Sequence, residues 1–491
     1  MRLKLNLNSE YLIERDLSQD LWHEPVFEMN SLEVLWMEKM EYGTERKLNL
    51  VMIMMILLAM VLSGCTGQSD VSQTVSGSQN ISSDTNDSER SSLANLTQDG
   101  KSGQPAEDSS AALSDSEKSD SVSGGTDHED NNDKDGMAED MLEQKARAAL
   151  EKMSLEEKVA QLFIATPESL GGVDPVTDAS QFQSQYNNLP VGGLIFFDKN
   201  FVDVAQTQAM LAGAQSFSQE RLNLPIFLSC DEEGGTVARV ANSGVLGIAP
   251  QPSAAELGAS QDLNVIRQQG EYVGQYLHQL GFNVDFAPDA DVITNPENTV
   301  LAGRTFSSDP AQVAQMALAF TQGLEAEHVL PVYKHFPGHG STSGDTHDGF
   351  AYSNRTLEEL ENCDLIPFQT GIANGIPAIM VAHISLPELT GSDLPASLNP
   401  QIITDLLRKQ MGYSGLIITD ALNMGAVADH YDSREAVIRA LQAGADMVLM
   451  PGDLYTDYEA VVNAVHTGDY PEAQLNDSVL RVLKAKFALQ E

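Results

Sequence analysis

Gly415-Leu416-Ile417-Ile418-Thr419-Asp420 is a short, apolar, β-branched run that stops on a carboxylate. That length and composition suit a strand buried on both faces, which needs helices to cover it. Ala421-Leu422-Asn423-Met424-Gly425 follows as a loop, and helical periodicity takes over at 433–443. The same unit recurs along the chain. Runs at 160–164, 193–197, 225–230, 283–287, 331–334, 378–382 and 447–450 read as further strands, and helical patterns at 311–327, 357–374 and 400–411 lie between them. Strands alternating with helices imply a parallel sheet. Eight such units within about 350 residues fit a closed (β/α)8 TIM barrel of the α/β class better than an open doubly wound sheet. No G-x-G-x-x-G follows the first strand and no G-x-x-x-x-G-K-[ST] is present. Nucleotide binding therefore has no support, and no cofactor is expected.

Such a barrel carries its working residues on the loops after the C-terminal ends of its strands. Polar residues break the apolar pattern at those places. Asp231 and Glu232 follow the third strand and Asp289 and Asp291 the fourth; Lys334 and His335 end the fifth, His383 follows the sixth and Asp420 the seventh. Core-facing strand ends have little use for carboxylates and imidazoles, so these groups are expected to converge on one site. Asp420 in such a pocket can serve as a nucleophile, although an aspartate there can also cap the segment that follows.

The densest loop reads Lys334-His335-Phe336-Pro337-Gly338-His339-Gly340 and continues to Asp345-Thr346-His347. Three histidines suggest a metal, but Pro337 and Gly338 stop His335 and His339 from sharing a helical face, and no metal is expected. Asp345 can take the Nδ1 proton of His347 and leave Nε2 for a substrate. An imidazole of ordinary pKa, about 6.5, both gives and takes protons near neutrality. An Asx turn ahead of a surface histidine would have the same spelling.

These motifs resemble, in order, the signature of bacterial β-N-acetylglucosaminidases of glycoside hydrolase family 3 over about residues 145–490. Asp231-Glu232-Glu233-Gly234-Gly235 with Arg239 resembles the family's sugar-binding loop, often Asp-Gln-Glu-Gly-Gly. Gly303-Arg304-Thr305-Phe306-Ser307 resembles its arginine loop, and Thr419-Asp420-Ala421-Leu422-Asn423-Met424 its nucleophile segment. The resemblance implies Asp420 as nucleophile and His347, oriented by Asp345, as general acid/base. Asp231, Arg239, Arg304, Lys334 and His335 would hold the sugar. It further implies a retaining, exo-acting enzyme that removes terminal β-linked N-acetylhexosamine from cell-wall fragments or chitin-type oligosaccharides. The chain stops at Glu491 without a second α/β domain, which points to the single-domain branch. Glu232 stands where glutamine is more usual and is expected to add negative charge near the sugar loop. A neutral histidine as acid/base, unlike a glutamate, would not repel phosphate, so a sugar 1-phosphate is a conceivable product.

The first third of the chain reads as an address and a tether. Arg46 and Lys47 precede an apolar stretch from Leu48 to Leu62 that ends in Leu62-Ser63-Gly64-Cys65. A basic flank and a short apolar run make a secretory signal, and its end resembles the bacterial lipobox, with Cys65 lipidated. Residues 1–65 are this signal region, and 1–36 fit a mis-assigned start. Residues 66–137, rich in Ser, Asp, Gly, Asn and Thr, read as a disordered linker with a reach of about 50 Å. The catalytic domain is placed at 138–491. The protein is thus expected to be extracytoplasmic, anchored to the bacterial cell membrane by lipid. A net charge of −43 excludes nucleic acid as a partner. With Cys65, Cys230 and Cys363 as the only cysteines there is no disulfide framework, and Cys230 is expected to be a buried thiol. A monomer is expected. Rival readings are a β-glucosidase or β-xylosidase on the same fold, a non-catalytic carbohydrate-binding lipoprotein, and a solute-binding lipoprotein.

Overall fold

The computed structural model describes residues 129–490 apart from Asp345, His347, Asp348 and Phe350, with side chains from Glu139 on. Cys65, the signal region and nearly all of the linker lie outside the described residues. Eight parallel strands close into a barrel in which each is hydrogen-bonded to its sequence neighbours and the last to the first. They are β1 Phe163–Ala165, β2 Gly193–Ile195, β3 Phe227–Cys230, β4 Val284–Asp285, β5 Leu330–Phe336, β6 Ala378–Val381, β7 Leu416–Ala421 and β8 Met447–Leu449. The expected barrel is present.

Three elements differ from the sequence expectation. The first strand, expected at 160–164, starts at Phe163 because Ala160 ends a helix, Leu155–Ala160. Ser154 and Glu157 form a reciprocal capping box that nucleates this turn. The helix expected at 357–374 is two helices, Leu357–Glu361 and Leu365–Ala373. Pro367 lacks an N–H and its ring would meet the Cys363 carbonyl, so the chain breaks around 362–364. A helix Glu129–Leu150 begins inside the stretch read as linker.

The core has two layers. One large apolar set lies between strands and helices; a second fills the barrel with Ile164, Phe227, Phe286, Val332, Met380, Ile418 and Leu449. Val482 of the C-terminal helix Glu472–Ala488 belongs to the inner set, with Ala485 and Leu489 packed on it, so this helix floors the barrel. Cys230 is buried and free, as expected, and Cys363 is free and half-buried.

The floor contains a buried cation. Lys486 is 1 % exposed; its Nζ donates to Gln161 Oε1 at 2.7 Å and lies 5.2 Å from the Phe227 ring centre. Desolvation pushes its pKa down from 10.5 to about 7. The unfolded chain holds the extra proton between those values, so this group's contribution to stability rises with pH above about 7. Lys486→Met should be more stable than wild type near pH 7, and the gap should narrow by a few kcal/mol toward pH 10. Urea unfolding at a series of pH values measures it; a gap independent of pH would contradict the assignment.

Candidate active site

The sugar-holding residues and the carboxylate that the resemblance implies face one cavity of about 310 Å³ at the C-terminal ends of the strands, whereas Glu232, Asp289, Asp291 and His383 lie behind its lining. Asp231, Arg239, Arg304, Lys334, His335 and Asp420 line it together. Its walls are of two kinds. The arc from β3 through β4 to β5 contributes Asp231, Glu233, Arg239, Arg304, Lys334 and His335. The arc from the loop after β7 through β8 to β2 contributes Met424, Leu449, Met450, Ile195 and Phe197. A pyranose has a hydroxyl-bearing rim and apolar C–H faces, and these walls match that division.

The polar arc is a closed array of charges. Lys334 Nζ lies 2.8 Å from Asp231 Oδ1 and 2.7 Å from Glu233 Oε1. Arg304 grips the same Glu233 with two bonds, Nε to Oε2 and Nη2 to Oε1, both 2.8 Å. Burial opposes the Glu233 charge, but Arg304 and Lys334 overcome it and hold the carboxyl well below the usual range. Burial likewise works against the charge on Lys334 and Arg304, and their carboxylate partners raise both above ordinary values. Arg239 stacks over the Phe197 ring, 5.6 Å from its centre, with Nε 3.9 Å from Asp231.

Behind this array, His335 Nδ1 donates to Asp291 Oδ2 at 2.8 Å, which leaves Nε2 free of its proton and 3.5 Å from Arg304 Nη2. Burial lowers the His335 pKa, so the ring is neutral. Asp289 and Asp291 are raised by burial, and repulsion from Asp291 raises Asp289 further. Asp289, Asp291 and His335 place one potential metal ligand each within 4.8 Å of one another. Arg304 Nε, 3.8 Å from Asp289 Oδ2, already supplies positive charge there, and the His335 nitrogen nearest them is engaged. This donor set suits an arginine better than a metal ion.

Asp420 faces the cavity from β7. Its Oδ1 accepts from the Ala421 N–H at 2.8 Å. Burial would raise its pKa, yet His383, His335, the Ala421 N–H and Lys334 together hold it below the ordinary carboxylate value. It is ionised at neutral pH and faces the open cavity. It is not a cap, because the next helix, Gly425–Ala428, starts after Met424. Asp345 and His347 lie outside the described residues. Thr346 between them lines the cavity, and its carbonyl accepts from the Ala426 N–H at 3.0 Å.

Glu232 takes a different place from the one expected. It points away from the sugar loop's open side, is buried, and accepts from Val240 N–H at 2.7 Å, Ala241 N–H at 2.9 Å and Tyr276 O–H at 2.7 Å. It ties the hairpin Glu232–Gly234 and Val237–Ala238 so that Arg239 returns to the cavity mouth. Glu233, not singled out from sequence, is instead the centre of the charge array. Alternation along the hairpin separates the two: one carboxylate goes inward and the next into the cavity.

With this geometry in view, residues 154–485 match the model of the glycosyl hydrolase family 3 N-terminal domain. The chain belongs to glycoside hydrolase family 3. β-Hexosaminidase LpqI of Mycobacterium tuberculosis is 35% identical over 345 residues, covering 68% of this chain and 83% of LpqI. β-Hexosaminidase A of Pseudoalteromonas piscicida is 34% identical over 335 residues, and the chain spans 56% of its length. Among solved structures, the family 3 β-N-acetylglucosaminidase of Paenibacillus sp. str. FPU-7 superimposes with a TM-score of 0.64 at 32% identity, covering 69% of this chain and 64% of that one. In this family 3 chain the charges that line the cavity stand after β3, after β4 and on β5, and Asp420 stands on β7.

Glu233→Ala would leave Arg304 facing an empty place and Lys334 with Asp231 alone. Breaking a buried pair of this type costs roughly 3–5 kcal/mol, to be read from urea unfolding; a loss below about 1 kcal/mol would mean that water replaces the carboxylate.

Proposed function

We propose that the protein is a retaining, exo-acting β-N-acetylglucosaminidase. The observation that carries this reading is Asp420, ionised and the one carboxylate on its side of a cavity of about 310 Å³ among the described residues, facing the array of Asp231, Arg304 and Lys334. A small pocket at one end of the barrel favours removal of a terminal residue over cleavage within a chain. In the first step the Asp420 carboxylate attacks the anomeric carbon while the His347 imidazolium protonates the glycosidic oxygen, and the aglycone leaves as an alcohol. In the second, neutral His347 takes a proton from water, the hydroxide oxygen bonds to the same carbon, and Asp420 is released. Two inversions give net retention. The names of the relatives favour N-acetylhexosamine as the sugar.

Water is the acceptor in this reading. Lys334 and Arg304 are both clamped by carboxylates, which leaves their charge balanced rather than offered to an anion. Turnover of an aryl β-N-acetylglucosaminide should exceed that of the aryl β-glucoside at least tenfold. Asp420→Ala should lose 10³-fold or more, as loss of a nucleophile does. Proton NMR of the first product should show the β-anomer, and phosphate in the buffer should yield no sugar 1-phosphate. Preference for the glucoside would move the assignment to a β-glucosidase, and bound but unturned sugar to a carbohydrate-binding protein.

The site of action follows from Leu62-Ser63-Gly64-Cys65. In this reading Cys65 carries a lipid and the acidic segment after it holds the barrel away from the membrane, within reach of wall polymer. Cys65→Ser should move the protein from the membrane fraction of its native host to the soluble fraction; unchanged fractionation would remove the anchor from the account.

A further inference from the structure

The strand that carries Asp420 is irregular where it matters. Ile418 pairs with Met447 and Ala421 with Leu449, so three residue steps on β7 oppose two on β8. One extra residue in a strand is a bulge, which re-aims a side chain at the cost of ladder hydrogen bonds. The bulge holds Thr419 and Asp420. Neighbouring groups replace the missing bonds. Thr419 Oγ1 accepts from the Leu449 N–H at 3.1 Å, and Leu422 N–H donates to the Leu449 carbonyl at 2.9 Å. On the other side His383 Nε2 lies 2.9 Å from the Ala421 carbonyl, and His383 Nδ1 lies 2.6 Å from Ser397 Oγ. His383, Ser397 and Thr419 have no exposed surface.

We infer that His383 is a positioning residue for Asp420, acting through the peptide that follows Ala421. A carbonyl can only accept, so His383 Nε2 carries the proton, and Nδ1 accepts from the Ser397 hydroxyl. The peptide after Ala421 is then held at both ends, its C=O by His383 and its N–H by Leu449. This fixes the backbone at Ala421, whose own N–H grips Asp420 Oδ1. The carboxylate direction is therefore set by a histidine one strand away that does not reach the sugar. Desolvation lowers the His383 pKa, which keeps the ring in the neutral form this arrangement uses. A nucleophile displaced by about 1 Å loses on the order of 10²-fold in rate.

This inference rests on Asp420 being the nucleophile. The test uses the whole chain and an aryl β-N-acetylglucosaminide, with His383→Ala, His383→Gln, Ser397→Ala and Asp420→Asn. His383→Ala should lose about 10²-fold in kcat with KM within about threefold of wild type. His383→Gln, whose amide N–H can reach the same carbonyl, should recover most of that loss. Ser397→Ala removes the hydroxyl that fixes the tautomer and orientation of the ring and should lose a smaller factor in kcat, again with KM little changed; it remains informative even where His383→Ala fails to fold. A loss confined to KM, a glutamine variant as poor as the alanine one, or an unchanged kcat in Ser397→Ala would each overturn the positioning role. If Asp420→Asn keeps its activity, the nucleophile assignment itself fails; if it is inactive while His383→Ala turns over normally, only the positioning role fails.

Discussion

The shared carboxylate of Glu233 is the constraint on which the polar half of the site depends. A buried lysine and a buried arginine would be intolerable separately, because taking either from water costs several kcal/mol. Placed on opposite sides of one carboxylate, with Asp231 closing the array, the two cations are balanced by two anions. The geometry follows from this balance. Lys334 cannot swing without leaving Asp231, and the two-bond grip of Arg304 fixes the plane of Glu233. The cavity thus presents charges that are already oriented, and in the proposed reading sugar hydroxyls would meet them with little reorganisation.

Environment then assigns different work to chemically identical groups. Asp289 and Asp291 are raised by burial, Asp289 further by the charge of Asp291, and Asp291 serves the His335 ring. Asp420, equally surrounded by protein, is lowered because imidazoles, an amide N–H and Lys334 face it. The first two orient their neighbours, and the last is left ionised with an open path to the cavity.

Much of this was legible in the chain, for a specific reason. Lys334, His335 and Asp420 stand where an apolar strand pattern should continue, and a charge that interrupts such a pattern needs a site to explain it. The role of Glu233 was not legible, since Glu232 and Glu233 are adjacent and identical, and only the hairpin's alternation separates a loop clamp from an array centre. The apolar arc was hidden for the opposite reason: Leu449, Met450 and Ile195 are spelled like any buried strand residue. His383 was visible as a polar group after β6, but its effect on the β7 bulge depends on a register shift that periodicity does not encode. The start of β1 was misplaced because Val159 and Ala160 continue the apolar run, while the capping box Ser154–Glu157 turns them into helix.

The two ends of the barrel have divided stability and function between them. At the C-terminal end the backbone departs from ideal geometry, in the β7 bulge and at Met450, a non-glycine residue with φ of 47°. Such departures cost of order 1–3 kcal/mol each and persist only where surrounding structure over-determines them. What over-determines them here is a ladder of side-chain bonds from Thr419 and His383, backed by Phe286, Met380, Ile418 and Leu449 inside the barrel. That apolar column also separates the charge array from the buried Lys486 at the floor, so neither end's electrostatics has to accommodate the other. A cation can be tolerated below, and carboxylates concentrated above, because the residues between them are almost all apolar. The barrel interior is therefore an insulator as well as a core, and the precision of Asp420 is borrowed from the strands on either side of it.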